Sequence, residues 1–183
     1  MVVNPAALVS GDPVSCSRLG GALRRYAGRL ADRCVELEAL LAQSGTAADA
    51  GPDEAVGAGG LSERLSLVAA TARDLDAAGA LLQRYATELA EAQELARRVE
   101  RSVAAAGLVL DAGRVGEPWG PARADVAHRR REAAPELQAL ADRCVAAAGR
   151  ARGRFRRGAA DAVAVLAARS GQLRGIPSVR RPG

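Results

Sequence analysis

The sequence predicts an all-α protein: an elongated antiparallel helical hairpin plus a third long helix, which together form a coiled-coil-like three-helix bundle. Three observations support this fold class. Of the 183 residues, 43 are alanine, the residue with the highest helix propensity. Aromatic residues, which strands favour, make up only 2% of the chain. Apolar residues recur at steps of three and four through most of the sequence, which is the helical period.

The first helix is predicted over residues 13–43. Asp12 is a good N-cap, and Pro13 suits the first helical position. Gly45 is placed to end the helix. The apolar stripe consists of Leu19, Leu23, Tyr26, Leu30, Cys34, Leu37 and Leu41. Residues 44–60 hold five glycines and a proline, which predicts a flexible loop.

The second helix is predicted over residues 61–106, where apolar residues alternate in steps of four and three over several heptads. Such a pattern is typical of a coiled-coil seam. Gly107 is placed to end this helix, and Leu108 would supply the hydrophobic contact that follows such an end. The rhythm breaks over residues 107–121, where two short apolar runs flank a turn. We expect a very small β-hairpin in this connector.

The third helix is predicted over about residues 121–170. Pro135 lies inside this span and is expected to kink or restart the helix, because proline cannot donate the backbone hydrogen bond of the helical ladder. Gly171 is placed to end the helix. Residues 171–183 are basic and rich in proline and glycine, so we expect a disordered tail.

The net charge of +5 is unevenly distributed along the chain. Residues 1–113 hold 11 Arg and 15 acidic residues, whereas residues 114–183 hold 15 Arg and 6 acidic residues. Because arginine suits phosphates, the excess could bind nucleic acid or an anionic surface. A match to an acidic helix and a plain solvated face are the alternatives. The predicted basic surface consists of Arg129, Arg130, Arg131, Arg150, Arg152, Arg154, Arg156 and Arg157.

The sequence does not predict an enzyme, a cofactor or a metal site. The single histidine, His128, stands beside three arginines, which disfavour a metal cation. The three cysteines form no Cys-x-x-Cys pair. Cys34 and Cys144 fall on apolar stripes and are expected to be buried free thiols. No uninterrupted apolar run approaches the roughly 20 residues that span a bilayer.

The predicted function is recognition of a partner by helix–helix packing, either with another helical protein or by self-association. The candidate partner-binding residues lie on the second helix and at the single tryptophan: Leu75, Leu82, Tyr85, Leu89 and Trp119. Trp119 stands beside a glycine and between two prolines. It could cover the end of the bundle as a hydrophobic plug, or it could anchor a partner, since tryptophan is favoured at binding hot spots.

The segment ALLQRYATELAEAQELARRVE, preceded by a helix that begins after Gly-Asp-Pro, resembles actinobacterial WXG100-type proteins. These are helical hairpins associated with type VII secretion. The stretches AAGLVLDAGRVGEPWGP and LQALADRCVAAAGRARGRF are similar to the extension of longer members. The resemblance covers residues 11–165, although the first loop lacks the Trp-x-Gly turn of the family. It implies a secretion substrate, co-substrate or adaptor, located in the cytoplasm or exported without a standard signal peptide.

Overall fold

The computed structural model describes residues 8–45 and 52–175. Over these residues the chain forms three long α-helices and one two-stranded β-hairpin, which confirms the predicted all-α three-helix fold class. The elements are α1 (Pro13–Gly45), α2 (Pro52–Ala105), β1 (Val109–Asp111), β2 (Arg114–Gly116) and α3 (Ala124–Gly175).

Two of the helix ends that capping residues predict are confirmed, the start of α1 and the end of α2. The Asp12 carboxylate accepts hydrogen bonds from the N–H groups of Val14 and Ser15, at 3.0 and 3.2 Å, and so caps α1. At the end of α2, Gly107 adopts a φ of +68°, and the Leu108 N–H donates to an earlier carbonyl oxygen of the helix. This is the glycine-based C-cap that the sequence predicts.

The expected β-hairpin forms in the connector between α2 and α3. β1 and β2 pair antiparallel, with Leu110 opposite Val115. The two turn residues, Ala112 and Gly113, have φ angles of +45° and +82°. Both therefore lie in the left-handed region, as a two-residue hairpin turn of type I′ requires.

Helix α2 begins earlier than the sequence predicts. It starts at Pro52 rather than at residue 61, so the prediction of a loop over residues 44–60 is wrong from Pro52 onward. The rest of that loop, residues 46–51, lies outside the described residues. Proline is favoured at the first helical position. The glycines that follow lower helix propensity by about 1 kcal/mol each, which weakens a helix without preventing it.

Helix α3 is longer than predicted and runs for 52 residues without a break. Pro135 does not restart it, and Gly171 does not end it. Because Pro135 is exposed, its ring lies on the solvent side, where the helix loses one hydrogen bond but no packing. Residues 171–175 of the predicted tail are helical, and residues 176–183 lie outside the described residues.

The described residues divide into two compact units, which we treat separately. The β-hairpin unit contains residues 8–16 and 84–155. The α1 unit contains residues 17–45, 52–83 and 156–175. Helices α2 and α3 contribute residues to both units.

In the α1 unit, α1 and α2 pack antiparallel through small side chains. A Cβ atom built on Gly20 would lie 2.7 Å from the carbonyl oxygen of Gly79, so the two backbones nearly touch. Two heptads later in α1 and two heptads earlier in α2, Cys34 Sγ lies 3.9 Å from the carbonyl oxygen of Leu65. Gly, Ala and Cys at every seventh position of α1 therefore allow the helices to approach closely.

The buried face of α1 differs by one position from the predicted stripe. Gly20 and Ala27 are buried, whereas the neighbouring Leu19 and Tyr26 are exposed. The physical reason is the short distance between the helices, because a leucine or tyrosine side chain would not fit between them. Of the predicted stripe, Cys34 alone is fully buried among the described residues of α1.

Candidate functional site

Part of the α2 seam that the sequence predicts to bind a partner lies in the core of the β-hairpin unit. Leu89 is 2% exposed and packs in a cluster with Val9 and Cys144. The ring of Tyr85 stacks on Phe155, with a centroid separation of 4.4 Å and an interplanar angle of 17°. The side chain of Leu89 is therefore covered by residues of this chain, and the prediction that it binds a partner stays a prediction.

The other two seam leucines lie in the α1 unit and are half-buried. Leu82 Cβ would lie 3.1 Å from a Cβ atom on Gly20, so this residue packs against α1. Leu75 lies two helical turns before it on α2 and is half-buried as well. Leu82 thus packs against a helix of the same chain, and Leu75 and Leu82 both keep part of their side chains exposed.

Trp119 lies between β2 and α3, and its side chain is fully exposed, at 105% of the reference area. The expectation that it plugs the end of a bundle is therefore wrong. The next residue, Gly120, has a φ of +125°, a conformation that residues with a side chain rarely adopt. The indole is therefore exposed to solvent in the connector before α3.

Two of the eight predicted surface arginines connect α3 to other segments of the β-hairpin unit. The Arg154 guanidinium pairs with the carboxylate of Glu88 on α2 at 2.9 Å. Arg152 donates a hydrogen bond to the carbonyl oxygen of Ser10 at 3.1 Å. These contacts hold α3 to α2 and to the chain segment before α1, so both arginines have a structural role.

Three arginines of this set lie at the start of α3 and differ in their contacts. Arg129 pairs with Asp125 one turn earlier in α3, at 3.3 Å, and Arg130 is half-buried against the end of α2. Arg131 donates to the backbone of its own helix. The exposed members of the set are Arg129, Arg131, Arg150, Arg154, Arg156 and Arg157.

Sequence analysis did not predict that the segment before α1 belongs to the core. Val9 is 5% exposed and lies in the same cluster as Leu89. The carbonyl oxygen of Gly11 accepts a hydrogen bond from the Gln93 side chain at 2.9 Å. No local pattern indicates this packing, because it depends on residues about 80 positions away in the sequence.

Gln138 fastens the β-hairpin to α3. Its Oε1 accepts a hydrogen bond from the Val115 N–H at 2.8 Å, and its Nε2 donates to the carbonyl oxygen of Gly113 at 3.1 Å. One side chain thereby satisfies a donor and an acceptor of the hairpin backbone. Sequence analysis did not single out this residue, since a glutamine on a helix carries no signal of its contacts.

The outer face of α1 is apolar and exposed. Leu19, Tyr26 and Leu37 are 55%, 50% and 49% exposed, and their spacing of 7 and 11 residues places them on one side of the helix. Leu40 continues this face. We call these four residues the α1 stripe. It contains four of the exposed large apolar residues that the described part of α1 carries, and the sequence places Leu19, Tyr26 and Leu37 on the apolar stripe instead.

The three cysteines are free thiols, and two of them are buried. Burial raises the pKa of both the Cys34 and the Cys144 thiol, and nearby Glu38 raises that of Cys34 further. Both groups therefore stay protonated and act as small core side chains. Their burial confirms the expectation drawn from the apolar stripes.

Two further findings concern the described ranges 8–45 and 52–175. They contain no cluster of three or more His, Cys, Asp or Glu side chains that could hold a metal ion. None of their helices is long and apolar enough to cross a membrane.

No family model matches the chain, and no curated protein or solved structure matches it.

Proposed function

We propose that this chain is a non-enzymatic helical interaction protein, and that it binds a partner helix along the α1 stripe. The observation that carries the proposal is the half-exposure of Leu19, Tyr26 and Leu37 on one side of a 33-residue helix. Exposed apolar surface arranged at helical spacing is the feature by which amphipathic helices recognise each other.

The shape of α1 supports this role. Gly20 and Cys34 contact α2, whereas the four residues of the α1 stripe are exposed, so the two sides of the helix suit different neighbours. Completing the burial of a leucine side chain contributes at most about 1.5–3 kcal/mol. Four half-exposed residues together could then supply the apolar part of a moderately stable interface, after the cost of association is subtracted.

Charges beside the α1 stripe indicate the chemistry of the partner. Arg18, Arg25 and Arg29 are exposed and lie along one edge of the stripe, by their spacing on the helix. A partner helix with acidic residues flanking its apolar face would match them. Such pairs at the rim of an interface mainly set register and association rate.

We further propose that the interaction belongs to type VII secretion, with the chain acting as a WXG100-like substrate, co-substrate or adaptor in the cytoplasm or after export. This part rests on the sequence resemblance over residues 11–165. The antiparallel packing of α1 on α2 within the α1 unit supports it, because the resemblance implies a helical hairpin.

The test is affinity capture of the tagged full chain from its own host, with mass spectrometry of the captured proteins. The variant combines Leu19→Glu with Leu37→Glu, which places charge in the α1 stripe. Val163→Glu is the matched control, since Val163 is an exposed apolar residue of α3 in the same unit. We expect a helical partner to be retained by the control and lost by the double variant, with circular dichroism unchanged. Equal capture by all three proteins would refute the proposal.

Trp119 provides a second readout in the β-hairpin unit. As the single tryptophan, it should fluoresce as an indole in water, and iodide should quench it efficiently. If the captured partner also covers this residue, its addition will shift the emission to shorter wavelength. Trp119→Ala should then weaken capture without changing the stability of the free chain.

Nucleic acid is the second candidate partner, because Arg150, Arg156 and Arg157 are exposed on α3. The internal contacts of Arg152 and Arg154 reduce the basic surface that remains for it. A nuclease treatment before capture separates the two candidates. Partners that disappear with nuclease, and a steep fall of binding with salt, would favour nucleic acid.

A further inference from the structure

A pocket of about 440 Å³ lies in the β-hairpin unit, where the end of α2 meets the first turns of α3. Most of its lining is small and apolar, and two arginines supply the charge. The lining residues are Ala105, Ala106, Gly107, Val126, Arg129, Arg130 and Ala133. Its volume lies within the range of about 300–1,000 Å³ that small-molecule sites usually have.

Arg130 is the unusual member of this lining. Its Nε atom is buried and has no hydrogen-bond partner in the part of the chain that the structure describes. The guanidinium lies against Gly107, where an added Cβ atom would be 3.2 Å from both Nε and Nη2. The partial negative charge at the end of α2 attracts the guanidinium, which explains its position. It does not provide an acceptor for the Nε–H group.

The second arginine adds positive charge at the mouth of the pocket. Arg129 is bonded to Asp125 at 3.3 Å, the long end of the range for such a pair, and its side chain is mostly exposed. Its Nε also donates to the carbonyl oxygen of Asp125 at 3.3 Å. The pocket thus combines two arginines with a lining of small apolar residues.

We propose that this pocket binds a small amphiphilic carboxylate. The carboxylate accepts hydrogen bonds from the Nη groups of Arg130, because the buried Nε is closed to a ligand. Guanidinium and carboxylate are both planar and can pair through two parallel bonds. The apolar body of the ligand lies along the methyl groups of the alanine and valine side chains, which offer no polar partner. The volume of the pocket favours a chain of medium length over a long acyl tail.

The probe for this proposal is sodium octanoate, titrated calorimetrically into the full chain. Octanol and acetate serve as probes that carry the apolar body alone and the carboxylate alone. We expect saturable binding of one octanoate per chain, with octanol and acetate each at least about tenfold weaker, because each lacks one of the two contacts.

Variants of the pocket locate the binding. Arg130→Gln should weaken octanoate at least about tenfold, the loss expected for one charge-assisted hydrogen-bonded pair. Arg131→Gln is the matched control, because Arg131 carries the same charge in the same turn but does not line the pocket. Val126→Phe keeps Arg130 and fills the space, so it should abolish binding while circular dichroism stays unchanged.

Three results would overturn the proposal: no saturable octanoate binding to the unmodified chain, equal affinity in Arg130→Gln, or octanol binding as tightly as octanoate. The proposal does not depend on the partner helix. The Leu19→Glu and Leu37→Glu double variant should bind octanoate with unchanged affinity, so each proposal can fail by itself.

Discussion

Gly20 of α1 and Gly79 of α2 face each other so closely that a Cβ atom on either glycine would lie 2.7 Å from the carbonyl oxygen of the other. The absence of a side chain at both positions is therefore a condition of the packing between these helices. We expect Gly79→Ala to destabilise the chain by about 1–3 kcal/mol, as overpacking does in other closely packed cores. Denaturant unfolding followed by circular dichroism measures this change.

Gly28→Ala is the matched control for this prediction. A Cβ atom on Gly28 would meet nothing within 4 Å, although the residue lies in the same helix as Gly20. Alanine has the higher helix propensity, so Gly28→Ala should stabilise the chain by up to about 1 kcal/mol. If Gly79→Ala were stabilising to the same extent, the close approach of the two backbones would not exist in solution.

The hydrogen bonds of Gln138 lead to a second prediction, concerning the β-hairpin. Gln138→Leu removes both the acceptor for the Val115 N–H and the donor to the Gly113 carbonyl oxygen. We expect a loss of about 1–3 kcal/mol in the opening free energy of the hairpin, because partly buried backbone groups lose their partners. Amide exchange at Val115 should accelerate accordingly.

Gln138→Glu separates the contributions of the two hydrogen bonds to the opening free energy of the hairpin. A glutamate can still accept from the Val115 N–H, but it cannot donate to the Gly113 carbonyl oxygen. Its exchange rate at Val115 should therefore lie closer to the unmodified chain than that of Gln138→Leu. If Val115 exchanges as slowly in both variants as in the unmodified chain, the hairpin is held by other contacts.

The different burial of the three cysteines gives a third prediction. Burial raises the pKa of the Cys34 and Cys144 thiols, and thiol reagents attack the thiolate form. We expect one fast-reacting thiol per native chain, at the partly exposed Cys16, and two that react only after unfolding. Titration with a chromogenic disulfide reagent counts them, and Cys16→Ser should remove the fast phase.

The same shifts predict how stability depends on pH. Because the folded chain holds both thiols protonated, with a pKa above that of a cysteine in the unfolded chain, folding disfavours the thiolate. This contribution to stability is complete below the unfolded pKa and decreases as the pH rises above it. The free energy of unfolding should therefore decline in the alkaline range, and a double replacement of both cysteines by alanine should flatten that decline.

The ends of the elements could be predicted from the sequence, because caps and tight turns are local. Asp12 and Gly107 act on residues within one helical turn, and the turn at Ala112 and Gly113 needs only its own two φ angles. Pro52 shows the limit of this approach. Proline is a good first helical residue, but the glycines that follow it predict a loop, whereas the helix begins at Pro52.

The buried face of α1 could not be predicted from hydrophobicity alone. Hydrophobicity ranks Leu19 above Gly20 and Tyr26 above Ala27, whereas the distance between the helices reverses that order. The heptad spacing of apolar residues on α2 predicts a packing seam. It does not show whether the helix packed there belongs to this chain or to another one. The position of Arg130 depends on α2 and α3 meeting at one end, which no local pattern encodes.

The ion pairs between α2 and α3 carry the last prediction, since they differ in exposure. Asp74 and Arg169 pair at 3.2 Å in the α1 unit, and both side chains are less exposed than those of Glu88 and Arg154, which pair at 2.9 Å in the β-hairpin unit. Water and salt screen the more exposed pair more strongly. Double-mutant cycles to alanine should therefore give a coupling of about 1 kcal/mol for the first pair and a few tenths for the second. Added salt should reduce the second coupling proportionally more, and the opposite ranking would mean that burial does not control the strength of these pairs.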